Sequence, residues 1–311
     1  MKNLLVLGAS GLTGNKIFNL AKNKFNTFGT FNKRFISDST LFKIDVTDEN
    51  DLRSLFNSIK PDIVINTAAL LNVDHCETHS FDAYQINSKA VQLIAKLCNN
   101  FGSRLIHLST DYVFDGEKGY YSEIDKPNPQ SIYGKSKLKG EEAAKLSGSY
   151  SIVRTSVIYG WTQIETTMTT SSSGKSINFV LWALIKMNKK EKLEIVIDQF
   201  SSPTFVDELA ITILKIATIE NNEIYHIAGN SCLNRYEFTK KLASIMGYSS
   251  SEINPIKDNS INQIARRPKN SCLNCTKIQR DLNIKLSTVE TSLLILRKQI
   301  EQAYPSLLGN L

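Results

Sequence analysis

The sequence predicts an α/β fold: a parallel sheet wound with helices on both faces and followed by a small C-terminal lobe. Three observations predict it. Short apolar strands alternate with helical stretches through the first half, a glycine-rich turn joins the first strand to the first helix, and after Gly160 the alternation gives way to a polar insertion and shorter mixed elements. A chain of 311 residues, 41% of them hydrophobic, can bury the core such a sheet requires.

Strands are expected at Asn3–Leu7, Thr27–Phe31, Leu41–Ile44, Asp62–Asn66, Arg104–Leu108 and Ser151–Arg154. Each is β-branched or Leu-rich and ends in a Gly, Asn, Asp, Ser or Thr turn. Asn15–Asn23, Asp48–Ile59, Phe81–Phe101 and Ser131–Leu146 read as helices between them, which makes each a right-handed crossover between parallel strands. The Thr- and Ser-rich stretch Thr162–Ser176 lacks periodicity and is expected to be a mobile loop. Beyond it a helix (Ser176–Met187), a strand (Leu193–Ile197), a helix (Val206–Thr218), a strand (Glu223–Ile227) and helices Arg235–Met246 and Thr288–Tyr304 are expected.

The composition excludes several classes. Apolar runs such as Leu4–Leu7 and Phe179–Ile185 fall far short of the ~20 residues that cross a bilayer, so no membrane association is expected. With the first strand starting near Asn3, no room for a secretory leader precedes the fold, and a cytoplasmic location is expected. The formal charge of +7 is scattered rather than clustered, so it reads as solvated surface and not as a nucleic-acid face. Five cysteines spread over a long chain are expected to be free thiols. Cys272-x-x-Cys275 lacks a second pair, and His75-Cys76-x-x-His79 fits a loop-to-helix junction, so no metal is expected.

Gly8-Ala9-Ser10-Gly11-Leu12-Thr13-Gly14 follows the first strand and opens the first helix, the context of a dinucleotide phosphate turn. The helix N-terminus there offers amide donors to a pyrophosphate. An acidic residue at the end of the second strand would hold the ribose 2′-hydroxyl of NAD. Asn32-Lys33-Arg34 stands there instead, and cations suit a 2′-phosphate, which favours NADP(H) and leaves NAD(H) as the alternative. Asp45 and Val46 are placed to meet the adenine. Ala68 and Ala69 are small enough for the cofactor to lie against backbone. Residues 1–160 are therefore assigned to a Rossmann-type nucleotide-binding domain, and residues 161–311 to a segment that completes the sheet and forms a substrate lobe.

Tyr133 and Lys137 lie four residues apart at the start of a helix, on one face. An ammonium beside a phenol, with an oxidised nicotinamide, lowers the phenol's pKa from about 10 and suits it to giving a proton to a carbonyl. Thr110, just after the fifth strand, puts a hydroxyl at the carboxyl edge of the sheet, where ligands of such folds bind.

His107-Leu-Ser-Thr-Asp-Tyr-Val-Phe-Asp-Gly116, Ile132-Tyr-Gly-Lys-Ser-Lys-Leu-Lys-Gly-Glu141, Val153-Arg-Thr-Ser156 and Asp198-Gln-Phe-Ser-Ser-Pro-Thr204 resemble the dTDP-4-dehydrorhamnose reductase family of extended short-chain dehydrogenase/reductases. The resemblance implies NAD(P)H-dependent reduction of the C4 ketone of dTDP-4-dehydro-L-rhamnose to give dTDP-L-rhamnose. By matching motif, it makes Tyr133 the proton donor, has Lys137 tune that donor and hold the nicotinamide ribose, and has Thr110 hydrogen-bond the carbonyl. It turns Val73, Tyr112, Asn178 and Arg267 toward the nucleotide sugar. A Trp usual in the family is replaced by Val157. Arg267-Pro268-Lys269-Asn270, with Leu273, Cys275 and Lys277, is similar to the regulatory β subunit of methionine adenosyltransferase, which implies the alternative of a non-catalytic, NADP-binding regulatory subunit. Assembly into a homodimer is left open.

Overall fold

The computed structural model describes residues 1–34, 37–162, 178–257 and 263–309. The loop expected over Thr162–Ser176 lies outside these residues apart from Thr162. The first half runs β1 (Asn3–Leu7), α1 (Leu12–Ala21), β2 (Asn26–Phe31), β3 (Leu41–Lys43), α2 (Glu49–Ile59), β4 (Ile63–Asn66), α3 (Val73–Thr78), α4 (Ser80–Tyr84), α5 (Ala90–Phe101), β5 (Arg104–Thr110), α6 (Ile132–Ala144), β6 (Tyr150–Thr155) and β7 (Ile158–Tyr159). The second half adds α7 (Phe179–Asn188), β8 (Leu193–Val196), β9 (Phe200–Ser201), β10 (Thr204–Phe205), α8 (Val206–Ile216), β11 (Glu223–His226), β12 (Leu233–Asn234), α9 (Arg235–Met246), β13 (Ile253–Ile256), α10 (Thr276–Leu282) and α11 (Val289–Ala303).

Seven parallel strands form the central sheet in the order β3-β2-β1-β4-β5-β6-β11. Alternate residues of β1 separate its two faces. Leu4 and Val6 pack with Ile17 and Phe18 of α1 and Leu209 and Ile213 of α8, while Leu5 and Leu7 pack with Leu52 and Phe56 of α2 and Val91 and Ile94 of α5. A strand covered on both faces reads as a continuous apolar run, which is why Asn3–Leu7 is visible in the sequence. The strand order reverses between β1 and β4, so the connections leaving their carboxyl ends diverge and open a crevice there. Residues from α7, β8, α9 and α11 build a second core around Tyr159, Leu184, Phe238 and Leu296. The second half of the chain thus supplies both the last sheet strand and a separate packed lobe.

Two expectations are corrected. The helix expected over Phe81–Phe101 is interrupted by a π-helical turn, Gln85–Lys89, between α4 and α5. The extra residue turns Asn87 inward, where its amide accepts from Leu70 N (2.8 Å) and donates to Leu70 O and Ser136 Oγ (both 3.1 Å). Not all thiols are free: Cys232 and Cys272 form a disulfide across 40 residues, where β12, directly after Cys232, and Asn270, before Cys272, both pair with β9. Cys76, Cys98 and Cys275 are free and buried. Among the described residues no helix is long and apolar enough to cross a membrane, and no group of three or more His, Cys, Asp or Glu could hold a metal.

Candidate active site

The turn between β1 and α1 is held by two glycines for different reasons. Gly8 has φ +85°, a left-handed conformation that a side chain disfavours. At Gly14 a Cβ would stand 2.2 Å from the Gly8 carbonyl oxygen, so only glycine lets α1 pack this close to the turn. Gly11 is the N-cap of α1 and gives no side-chain hydrogen bond to the helix, so the first-turn amides at Leu12 and Thr13 receive no side-chain acceptor from the cap. That donor set fits a dinucleotide diphosphate.

Beside the turn, Arg34 donates from Nη1 to the Ser10 carbonyl (3.2 Å), which lays a guanidinium along the crevice rim, and Lys33 is exposed next to it. Asn32 donates to Asp45 (3.1 Å), tying the ends of β2 and β3 together, and Val46 is half-buried beyond them. Across the crevice, Ala68 N donates to Asn66 Oδ1 (3.1 Å), and Ala68 and Ala69 leave the backbone half-exposed.

On the other side of the switch point, α6 begins at a Ser131 cap that accepts from Gly134 N (3.1 Å), and its first two turns carry Tyr133 and Lys137 inward. Tyr133 is 8% exposed and packs edge-on to Tyr112, centroids 5.8 Å apart. Thr110 lies beside its phenol. Lys137 is 2% exposed and donates to the Leu108 carbonyl (2.6 Å). The structure thus brings Thr110, Tyr133 and Lys137 together. Burial pushes the Tyr133 phenol up, and the neighbouring Thr110 opposes this. Burial pulls Lys137 down to about 8, against the field of Glu141.

The remaining residues are placed as follows. Val73 is the first residue of α3, and Tyr112 sits in the 3₁₀ turn Asp111–Val113 that faces α6. Asn178 caps α7: its Oδ1 accepts from Val180 N (3.0 Å) and its Nδ2 donates to the Gly160 carbonyl (2.6 Å). Arg267, expected against a substrate pyrophosphate, spends both terminal nitrogens on Asp74 (2.5 and 2.8 Å), whose carboxylate also accepts from Ile264 N and Ala265 N (both 3.0 Å). The guanidinium beside Asp74 holds its carboxyl down at about 2, so the pair stays charged through the neutral range. The pair also links α3 to the segment leading to the disulfide. Arg267→Ala is expected to lower stability by about 1.5–3 kcal/mol, since these are charge-assisted bonds in a part-buried site. The shift of the urea midpoint measures it, and an unchanged midpoint would reduce the pair to a surface contact.

Sequence reasoning missed several groups. Arg235 and Gln199 line a narrow cleft with Tyr112, Val157 and Ser271. Val157, at the position where the resemblance expects Trp, has φ +37°, a strained conformation for a β-branched residue. Behind the Tyr–Lys pair, Glu141 accepts from Ser109 Oγ (2.6 Å) and from Arg154 Nε and Nη2 (2.9 and 2.7 Å). Asp111 adjoins Thr110 and is almost fully buried. A turn residue directly after a strand reads as a cap, so nothing local marked it.

A doubly wound sheet with a glycine turn on one side of its switch-point crevice and Thr110, Tyr133 and Lys137 on the other defines a Rossmann-type protein of the short-chain dehydrogenase/reductase class. Residues 1–301 match the family described as RmlD substrate binding domain, and the chain belongs to that family. It is 32% identical to a dTDP-4-dehydrorhamnose reductase of Aggregatibacter actinomycetemcomitans, over 97% of this chain and 100% of that protein. It is 29% identical to methionine adenosyltransferase 2 subunit beta of Danio rerio, over 89% of this chain and 84% of that one. Among solved structures, the dTDP-4-dehydrorhamnose reductase of Bacillus anthracis in complex with NADP superposes with a TM-score of 0.84 at 27% identity, covering 96% of this chain and 99% of that one.

Proposed function

We propose that the protein is an NADPH-dependent reductase of a nucleotide-linked 4-keto sugar, with dTDP-4-dehydro-L-rhamnose as substrate and dTDP-L-rhamnose as product. The observation that carries this is the convergence of Thr110, Tyr133 and Lys137 at the crevice opposite the β1–α1 turn. The similarity to the Aggregatibacter actinomycetemcomitans reductase over the whole chain supports it, and so does the likeness to a reductase solved with NADP.

Ser10, Gly11, Leu12 and Thr13 would receive the cofactor diphosphate at the N-terminus of α1, and Lys33 and Arg34 its 2′-phosphate. When bound, NADPH supplies the hydride. Tyr133, held neutral by burial, gives its proton to the ketone oxygen, and Thr110 donates a hydrogen bond to the same oxygen. Lys137, charged below about pH 8, adds a positive field beside the phenol as that proton leaves. The 1–160 domain would hold the cofactor, and the sugar nucleotide would lie against the 161–311 lobe near Tyr112 and the cleft beside Arg235.

The test is NADPH oxidation with dTDP-4-dehydrorhamnose, run in parallel with NADH. A contact between Arg34 or Lys33 and the 2′-phosphate is a charge-assisted bond worth about 1.5–3 kcal/mol, so kcat/KM with NADPH should exceed that with NADH by about ten- to a hundredfold. Equal rates would remove the role of Lys33 and Arg34. The similarity to the methionine adenosyltransferase β subunit favours a second reading, a non-catalytic NADP-binding regulatory subunit. No oxidation of NADPH with any 4-keto sugar nucleotide, together with binding to a methionine adenosyltransferase, would select it.

A further inference from the structure

Arg235 and Ser271 stand on two walls of the narrow cleft beside Tyr112, and Phe200 and Ser201 of β9 line it between them. Arg235 directly follows β12, which pairs with β9, and Ser271 directly follows Asn270, which pairs with Phe200. Each wall leads within three residues to a cysteine of the disulfide. Cys232 immediately precedes β12, and Cys272 immediately follows Ser271, with the two Cα atoms 5.6 Å apart. Ser271 faces the cleft while Cys272 is fully buried, so the bond joins the two walls from behind. The reaction described above makes no use of it.

The walls are not held equally. On the Ser271 side Phe200 N donates to Lys269 O (2.7 Å), Ser271 N to Phe200 O (2.9 Å), Tyr121 N to Cys272 O (2.9 Å) and Ser271 Oγ to Asp111 (2.5 Å). On the Arg235 side β12 pairs with β9 over two residues only. With the disulfide in place the cleft has a free volume of about 10 Å³, far below the roughly 300 Å³ at which ligand pockets begin. A sugar enters it only if the walls part. A disulfide keeps its two Cα atoms within about 7 Å of each other, so the β12 wall cannot draw away from Ser271 while the bond is intact.

We propose that Cys232–Cys272 is a site of thiol–disulfide exchange with a dithiol reductant, and that it governs entry of the nucleotide sugar: the disulfide keeps the cleft shut, and the reduced pair lets it open. This rests on the reductase reading. Cys232 is half-buried and Cys272 fully buried, so a thiolate of the reductant attacks the Cys232 sulfur. The S–S bond breaks, and Cys272 leaves as a thiolate that takes up a proton. The second thiol of the reductant, as its thiolate, attacks the mixed disulfide and frees Cys232, which is protonated in turn. The protein gains two electrons and two protons, and the dithiol becomes a disulfide. Cys275 does not compete for either sulfur, because it is buried against the Ala228 carbonyl and burial pushes its thiol up to about 12. The cofactor turn lies at the β1–α1 junction, outside the cleft, so NADPH binding does not depend on the state of the pair.

The test compares wild type treated with oxidised glutathione and wild type reduced with dithiothreitol. Thiol titration after unfolding should count three free thiols in the first state and five in the second. At saturating NADPH, reduction is expected to lower the KM for dTDP-4-dehydrorhamnose about tenfold, within the usual range of coupling between two sites, and to leave kcat and the NADPH dissociation constant within about twofold. Coupling is reciprocal, so saturating dTDP-L-rhamnose should lower the ratio of reduced to oxidised dithiothreitol at half reduction by the same factor of about ten, a readout that needs no turnover. Cys232→Ser should show the low KM without dithiothreitol and no response to it. Five thiols in both states, or one KM in both, would overturn the switch. Loss of NADPH binding on reduction would also overturn it, since the bond would then be a staple of the whole fold. Wild type that neither oxidises NADPH with any 4-keto sugar nucleotide nor binds dTDP-L-rhamnose in either state would overturn the reductase reading and the switch with it. A turning-over wild type with the same KM in both states would overturn the switch alone.

Discussion

Tyr133→Phe is expected to lower the rate of NADPH oxidation in a single turnover by about 10²- to 10⁴-fold, the usual worth of a positioned general acid. Folding and cofactor binding should be almost unaffected. The substitution removes one oxygen and keeps the ring, which packs edge-on to Tyr112 and against Cys76 and Ala83. Burial has a direct bearing on the mechanism here. Because it raises the Tyr133 phenol, the residue stays protonated through the neutral range and begins each reduction in its acid form. Lys137, drawn down to about 8, loses its positive charge as the pH rises through that value. The profile of kcat/KM should therefore be flat below about pH 8 and fall above it, although the donor itself remains protonated there. A Tyr133→Phe enzyme as fast as wild type would take Tyr133 out of the mechanism and strengthen the regulatory reading.

What the sequence reveals of this molecule is what short-range patterning encodes. β1 and α9 coincide with the expected spans Asn3–Leu7 and Arg235–Met246, the first from its buried apolar run and the second because Asn234 and Glu237 form a capping box. Thr110, Tyr133 and Lys137 are legible because each stands at a fixed offset from a strand or helix end. The rest depends on partners far away in the chain. The break in the long helix is set by Asn87 reaching Leu70 and Ser136, and the pairing of Cys232 by a segment 40 residues on. Arg267 meets Asp74 across 193 residues, a pairing that no local pattern shows. Strand β13, the parallel partner of β8, escaped for a local reason as well: Ile253–Ile256 holds Asn and Pro in its centre, which conceals a strand. Asp111 lay in plain view inside a quoted motif, but its bonds to Ser156, just after β6, and to Ser271, before α10, depend on partners far away in the chain.

Glu141→Ala is expected to lower the stability of the fold by about 3–5 kcal/mol, the usual consequence of stripping the partner from a buried ion. Glu141 and Arg154 are only 3% and 2% exposed at their side chains, and the carboxylate takes two bonds from the guanidinium and a third from Ser109. Without it Arg154 keeps its place over the Phe114 ring, 5.1 Å from the centroid, but Nη1 already lacks a partner and two more donors would join it. Such a pair ties β5, β6 and α6 into one unit, one turn beyond Lys137. Two functions can be separated here. If the charges serve only to hold these elements together, Glu141→Leu combined with Arg154→Met should recover most of the loss, because a buried pair replaced by apolar groups of similar volume is often neutral or stabilising. Glu141 also acts at a distance, since its negative charge raises the Lys137 pKa that burial lowers. The double variant should therefore be folded and active, but the alkaline fall of kcat/KM should move to lower pH than in wild type. A double variant with wild-type stability and an unmoved alkaline limb would leave the pair a purely structural role. A Glu141→Ala melting midpoint equal to wild type would show that water reaches Arg154 and that the pair contributes little.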